Sequence, residues 1–138
     1  MSDKIYRDLP AHFIRQMENW AWVNAGAVGY ESSCVQRIRA NKSPGSYTSA
    51  ALIANSKTIE HALDNLPVRY RQAVSLFWQY QGKPLTWFAQ RSGQGVDYRT
   101  YERRVLEGHA RLRAELARQA EEVRQSRQDA SRMKVAAE

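Results

Sequence analysis

Pro84-Leu85-Thr86-Trp87-Phe88-Ala89-Gln90-Arg91, then Ser92-Gly93-Gln94-Gly95, then Val96-Asp97, then Tyr98-Arg99-Thr100-Tyr101-Glu102-Arg103-Arg104-Val105 is the stretch that decides the fold. Leu85, Phe88 and Ala89 stand at three- and four-residue spacing, so they share one face of a short helix over 84–91. Two glycines in Ser92-Gly93-Gln94-Gly95 mark a turn. Asp97 is a good N-cap, because its side-chain oxygen accepts from the free N–H groups of the turn that follows. From there Tyr98, Tyr101, Val105, Leu112 and Leu116 keep helical spacing, with Gly108 and His109 filling the gap. That second helix is expected to run to about residue 119. A short helix, a glycine turn and a second helix make a helix–turn–helix. Leu85, Phe88 and Ala89 form the inner face of the bracing helix, with Ala89 small where two helices approach closely. Tyr101 and Val105 hold the second helix to the core.

The exposed residues early in the second helix are Arg99, Thr100, Glu102, Arg103 and Arg104. The major groove is about 12 Å wide and admits one α-helix. Arginine binds guanine O6 and N7 through two hydrogen bonds, and Thr100 is able to meet a base or a phosphate. Arg69 and Lys83, nearer the brace, are candidates for phosphate contacts. A solvated arginine face is the plainer alternative, but it leaves unexplained why these cations follow a glycine turn and an N-cap. The whole chain agrees in sign: 21 Lys+Arg against 14 Asp+Glu over 138 residues give a net charge of +7. A small basic domain suits a polyanionic partner, since neutralising phosphates releases counterions. Duplex DNA is the expected partner.

Outward from this stretch, every signal is helical. Pro67 opens a helix carrying Tyr70, Ala73, Val74, Phe77 and Trp78, and Gly82 followed by Pro84 closes it. Leu52, Ile53, Ile59, Ala62, Leu63 and Leu66 predict a helix before it, with Asn55-Ser56 as the point where it would break. Pro10 suits a first helical turn. Behind it Phe13, Ile14, Met17, Trp20 and Ala21 make one buried face, with Trp22 off it and Gly26 and Gly29 as the end. A short helix over 31–40 would turn Val35 and Ile38 inward and Arg37 and Arg39 outward. Asn41-Lys42-Ser43-Pro44-Gly45-Ser46 is a loop. The chain therefore reads as all-α. Residues 1–57 form an N-terminal helical part with a Pro/Gly loop, and 58–116 the helix–turn–helix part of the same body. Residues 117–138 are a charged tail with few large apolar residues, either an extension of the last helix or disordered.

Several classes are excluded on sequence. Cys34 is the only cysteine and forms no internal disulfide. No apolar run approaches the roughly 18 residues of a membrane span. The first residues lack the apolar core of a signal peptide. A protein of a reducing cytoplasm, with no membrane partner, is expected. His12, His61 and His109 lie far apart and lack metal-ligand spacing. Gly93-Gln94-Gly95 lacks the context of a phosphate-cradling loop. No catalytic constellation, metal or cofactor is expected.

Beyond these readings, Ala62-Leu63-Asp64-Asn65-Leu66-Pro67-Val68-Arg69-Tyr70-Arg71, then Val74, then Tyr80-Gln81-Gly82-Lys83-Pro84-Leu85 resembles the start of sigma-factor region four. Phe88-Ala89, Val96-Asp97 and the closing Leu112 and Leu116 continue that likeness, although the glycine turn is longer than in that region. Trp20-Ala21-Trp22 and Gly29-Tyr30-Glu31-Ser32-Ser33, ahead of such a half, are similar to the phage Q antitermination proteins of the phage-21 type. The resemblance covers roughly 18–116. It implies a protein that binds DNA near a phage late promoter and loads onto bacterial RNA polymerase paused there with its sigma factor. It then sits as a collar at the RNA exit channel, in the cytoplasm of the bacterial host, and stops terminator hairpins from forming. Nascent RNA would pass close by, and Arg37, Arg39 and Lys42 are the residues that would face it. The alternative is a helix–turn–helix activator that works only at initiation.

Overall fold

Pro10, Pro67, Gly82, Pro84 and Gly93 stand at helix boundaries, as the sequence predicts. The computed structural model describes residues 3–27 and 49–136, and every regular element among them is an α-helix. These are α1 (Asp3–Arg7), α2 (Ala11–Ala27), α3 (Ser49–Asp64), α4 (Val68–Gln79), α5 (Leu85–Ser92) and α6 (Tyr98–Ala136). None of them is long and apolar enough to cross a membrane. Arg37, Arg39, Lys42, Cys34 and the expected helix over 31–40 lie outside the described residues.

Four local outcomes differ from the spacing argument. α1 has no sequence forecast; Ile5 anchors it in the core and Tyr6 lies against the Phe77 and Trp78 rings. α2 passes through Gly26, because one glycine costs a helix only about 1 kcal/mol against alanine and the face upstream is firmly buried. α3 does not break at Asn55-Ser56. Asn55 Nδ2 donates to the Gln16 carbonyl of α2 at 3.0 Å and Ser56 is buried, so both polar residues face a helix rather than interrupting one. Tyr98, placed inward by spacing, is 44% exposed: at the helix start it meets the Arg99 guanidinium instead of the core.

The core forms where α3, α4 and α5 gather on the first half of α6 and α2 packs on α3 and α4. Phe13, Met17 and Trp20 bring α2 in, Ile59, Ala62 and Leu63 bring α3, and Phe77 and Trp78 bring α4. Leu85, Phe88 and Ala89 of α5 are all buried, as are Tyr101, Val105 and Leu112 of α6. Phe88 stacks on Tyr101 with ring centroids 5.2 Å apart and planes at 9°. The Tyr101 hydroxyl donates to the Ala73 carbonyl at 2.8 Å, which fastens α6 to α4, and burial pushes this phenol upward in pKa.

Gly108 marks the tightest crossing. A Cβ there would lie 2.5 Å from Val74 Cγ2 and 3.3 Å from the Tyr70 carbonyl oxygen. The glycine lets the α4 and α6 backbones meet. Beside it, His109 is only 2% exposed. The Trp78 Nε1–H donates to His109 Nε2 at 2.8 Å, so the neutral ring carries its proton on Nδ1. Nδ1 is buried with no hydrogen-bond partner among the described residues. Burial, reinforced by Arg113, pushes His109 down to about 4.

Past the core, residues 120–135 of α6 are exposed along their whole length. The extension holds itself as a helix. Arg118 pairs with Glu115 at 2.6 Å and Glu122 at 3.1 Å, and Arg124 pairs with Glu121 at 2.7 Å. Such i,i+3 and i,i+4 pairs, with many Ala, Gln, Glu and Arg residues, favour helix without any buried face.

Two outcomes follow for stability. Gly108→Ala forces a methyl group into Val74 and the Tyr70 backbone, and should cost about 1–3 kcal/mol in a denaturant titration. His109 should make the protein acid-sensitive in a defined window. Below pH 6.5 the unfolded histidine takes up a proton that the folded one refuses until about pH 4. This histidine's contribution therefore declines from pH 6.5 to about 4, by about 3 kcal/mol, and stays level below. In His109→Gln, where an amide oxygen accepts from Trp78 without titrating, denaturation midpoints should lose that part of the decline.

Candidate nucleic-acid interface

The turn between α5 and α6 needs its glycines. Gly93 has φ +125° and Gly95 φ +81°, both in the left-handed region where a Cβ is strained. The chain then enters α6 through Asp97. Its Oδ1 accepts the Thr100 backbone N–H at 2.7 Å, and that bond, with the nearby Arg99 and Arg103 charges, holds the carboxyl below its usual range. The expected N-cap is in place.

The first two turns of α6 then present three sides. Arg99 and Arg103, four residues apart, are exposed on one side. Thr100 and Arg104, also four apart, are only half-exposed, and Arg104 borders α4. On a third side Glu102 pairs with Lys4 of α1 at 3.5 Å. The four sequence candidates on this helix thus divide into an outer pair and a flanking pair.

Arg104 lines a concavity of about 360 Å³ between helices. Arg69, Gln72, Ser75 and Gln79 come from α4, Arg91 and Ser92 from the end of α5, and Ala73 and Leu76 supply apolar surface. Two of its arginines are braced on aromatic rings. The Arg69 guanidinium lies 4.7 Å from the Tyr70 ring centre and donates to the Tyr70 hydroxyl at 3.1 Å. The Arg91 guanidinium lies 3.7 Å from the Trp87 ring centre and reaches the Trp87 carbonyl at 3.4 Å. Lys83 is exposed outside this concavity, its ammonium 5.5 Å from the same Trp87 ring. The structure therefore brings Arg69 to Arg104 and leaves Lys83 apart from them.

Charge pairing alone does not single out this region: among the described residues Arg7, Arg15, Arg113, Arg127 and Arg132, elsewhere in the chain, have no carboxylate within 4 Å. Arg71, Arg111, Arg118 and Arg124 each have a carboxylate within 4 Å. Among the described residues, Arg69, Arg91, Arg99, Arg103 and Arg104 have none. Of these five, Arg69, Arg91 and Arg104 line the concavity, while Arg99 and Arg103 stand on the outer side of α6 with the Asp97 carboxylate nearby. Sequence reasoning named four of them and missed Arg91. The available signal was Trp87 four residues earlier, the spacing that lets a guanidinium lie over an indole on one helix face.

His12 and His61 are exposed on α2 and α3 and His109 is in the core, so the three histidines do not meet. No family model, curated protein or solved structure matches the chain.

The cap is open to test. Asp97→Ala leaves the Thr100 N–H without its acceptor and should lower the melting temperature by roughly 2–8 °C, whereas Asp97→Ser should retain most of it. Differential scanning calorimetry of the two variants at neutral pH reads the difference.

Proposed function

We propose that this protein is a phage late-gene transcription antitermination factor. It binds duplex DNA near a late promoter through α5 and α6. It loads onto bacterial RNA polymerase while the sigma factor is still present, and it keeps terminator hairpins from forming at the RNA exit channel. The observation that carries the DNA-binding step is the group of five unpaired arginines around a glycine turn and a capped helix. A helix presented in this way suits the major groove, with Arg99 and Arg103 placed to meet base edges and the flanking cations to meet phosphates. The later steps, with polymerase and nascent RNA as partners and the bacterial cytoplasm as the setting, rest on the resemblance of residues 18–116 to the phage Q proteins. In this role the chain performs no catalysis. Arg37, Arg39 and Lys42 would supply the RNA-facing rim, because a wall beside RNA must not repel it.

A purified transcription reaction tests both steps. On a late-promoter template followed by a terminator, the protein should raise readthrough several-fold. Arg99→Ala and Arg103→Ala should lower both promoter binding and readthrough, each good guanine contact being worth about 1–3 kcal/mol of discrimination. Reversing charge at Arg37, Arg39 and Lys42 together should reduce readthrough and leave duplex binding nearly unchanged. More initiation with no gain in readthrough would identify an initiation-only activator instead.

A further inference from the structure

Spacing groups Arg104 with Arg99 and Arg103, but the fold turns it toward α4, into the concavity that Arg69 and Arg91 also line. Three arginines from three helices line this space, and no carboxylate among the described residues lies within 4 Å of their guanidiniums. Like charges gathered without a counter-charge repel one another, and an anion placed among them relieves that repulsion. Arg69 and Arg91 are held in advance by Tyr70 and Trp87. Each makes one hydrogen bond within the protein, to the Tyr70 hydroxyl or the Trp87 carbonyl. A guanidinium carries five N–H donors, so most of each fork is left for a ligand. The planar fork fits phosphate oxygens in pairs, and bracing reduces the entropy lost on binding. Gln72 adds an amide donor at the same wall.

We infer that this concavity is a phosphate-binding site served by Arg69, Arg91 and Arg104. Arg104 positions α6 on a nucleic-acid backbone and takes no part in base reading, which falls to Arg99 and Arg103. The source of the phosphate rests on the duplex-binding reading above: it is a phosphodiester flanking the groove that α6 enters. A free polyphosphate has the same chemistry, and the experiment separates the two sources.

The test uses the full chain and two probes. Inorganic pyrophosphate, added without DNA, should shift the Arg69, Arg91 and Arg104 side-chain N–H resonances and leave those of Arg127 and Arg132 in place. With a mixed-sequence duplex, Arg91→Ala and Arg104→Ala should each reduce the slope of log affinity against log salt by about 1. They should weaken all sequences alike. Arg132→Ala should leave the slope unchanged, and Arg91→Lys should recover most of it, which separates lost charge from lost packing on Trp87. Selection from randomised duplexes should return the same site for Arg104→Ala and a relaxed one for Arg99→Ala. Pyrophosphate shifts in a chain that binds no duplex would keep the phosphate site and discard the DNA reading. Duplex binding with unaltered slopes, together with no pyrophosphate shift, would overturn the site. An altered base preference in Arg104→Ala would overturn the role given to that residue.

Discussion

The contact on which the rest depends is the crossing of α4 and α6 at Gly108. Because a methyl group there would overlap Val74, the two backbones lie close enough for Tyr101 to reach the Ala73 carbonyl and for Trp78 to reach His109. Those hydrogen bonds fix the rotation of α6 about its own axis. Rotation decides which arginines face α4 and which face outward. A wider crossing would leave the Trp78 indole and the His109 ring without each other in an apolar interior, where an unmade hydrogen bond costs about 1–3 kcal/mol. Packing at one glycine thereby sets the outer and flanking arrangement of charge two turns away.

Much of this was legible from residue order. Proline before a helix, glycine after it, and apolar residues at three- and four-residue intervals placed α2, α4, α5 and the start of α6, because these are local constraints on the backbone. The Asp97 cap was legible for the same reason. What local order did not contain was relational. Asn55-Ser56 looked like a breaker since nothing nearby in sequence announces the Gln16 carbonyl waiting on α2. Gly108 looked like filler, since its function lies in a neighbour more than thirty positions earlier. Arg104 looked equivalent to Arg103, although one step along a helix turns a side chain by about 100°.

The distribution of charge follows the same division. Where α6 leaves the core, Arg118 and Arg124 pair with Glu115, Glu121 and Glu122 at helical spacing, which favours helix where no core supports it. Around the glycine turn the arginines make no ion pair within 4 Å among the described residues, and aromatic rings rather than carboxylates hold two of them. A ring steadies a guanidinium without cancelling its charge. The extension itself is neutral, since residues 121–138 carry four cations against four carboxylates.

The continuity of α6 has a mechanical consequence. The same helix that begins at Asp97 crosses α4 at Gly108 and ends near Ala136, with no described break between. From the crossing to the tip is about 42 Å at 1.5 Å per residue. Buried Leu112 and the Asn65–Glu115 hydrogen bond hold α6 to the body for two further turns past that crossing. The unsupported arm therefore starts near residue 120 and projects about 24 Å, so a chain cut there would lose reach and no packing.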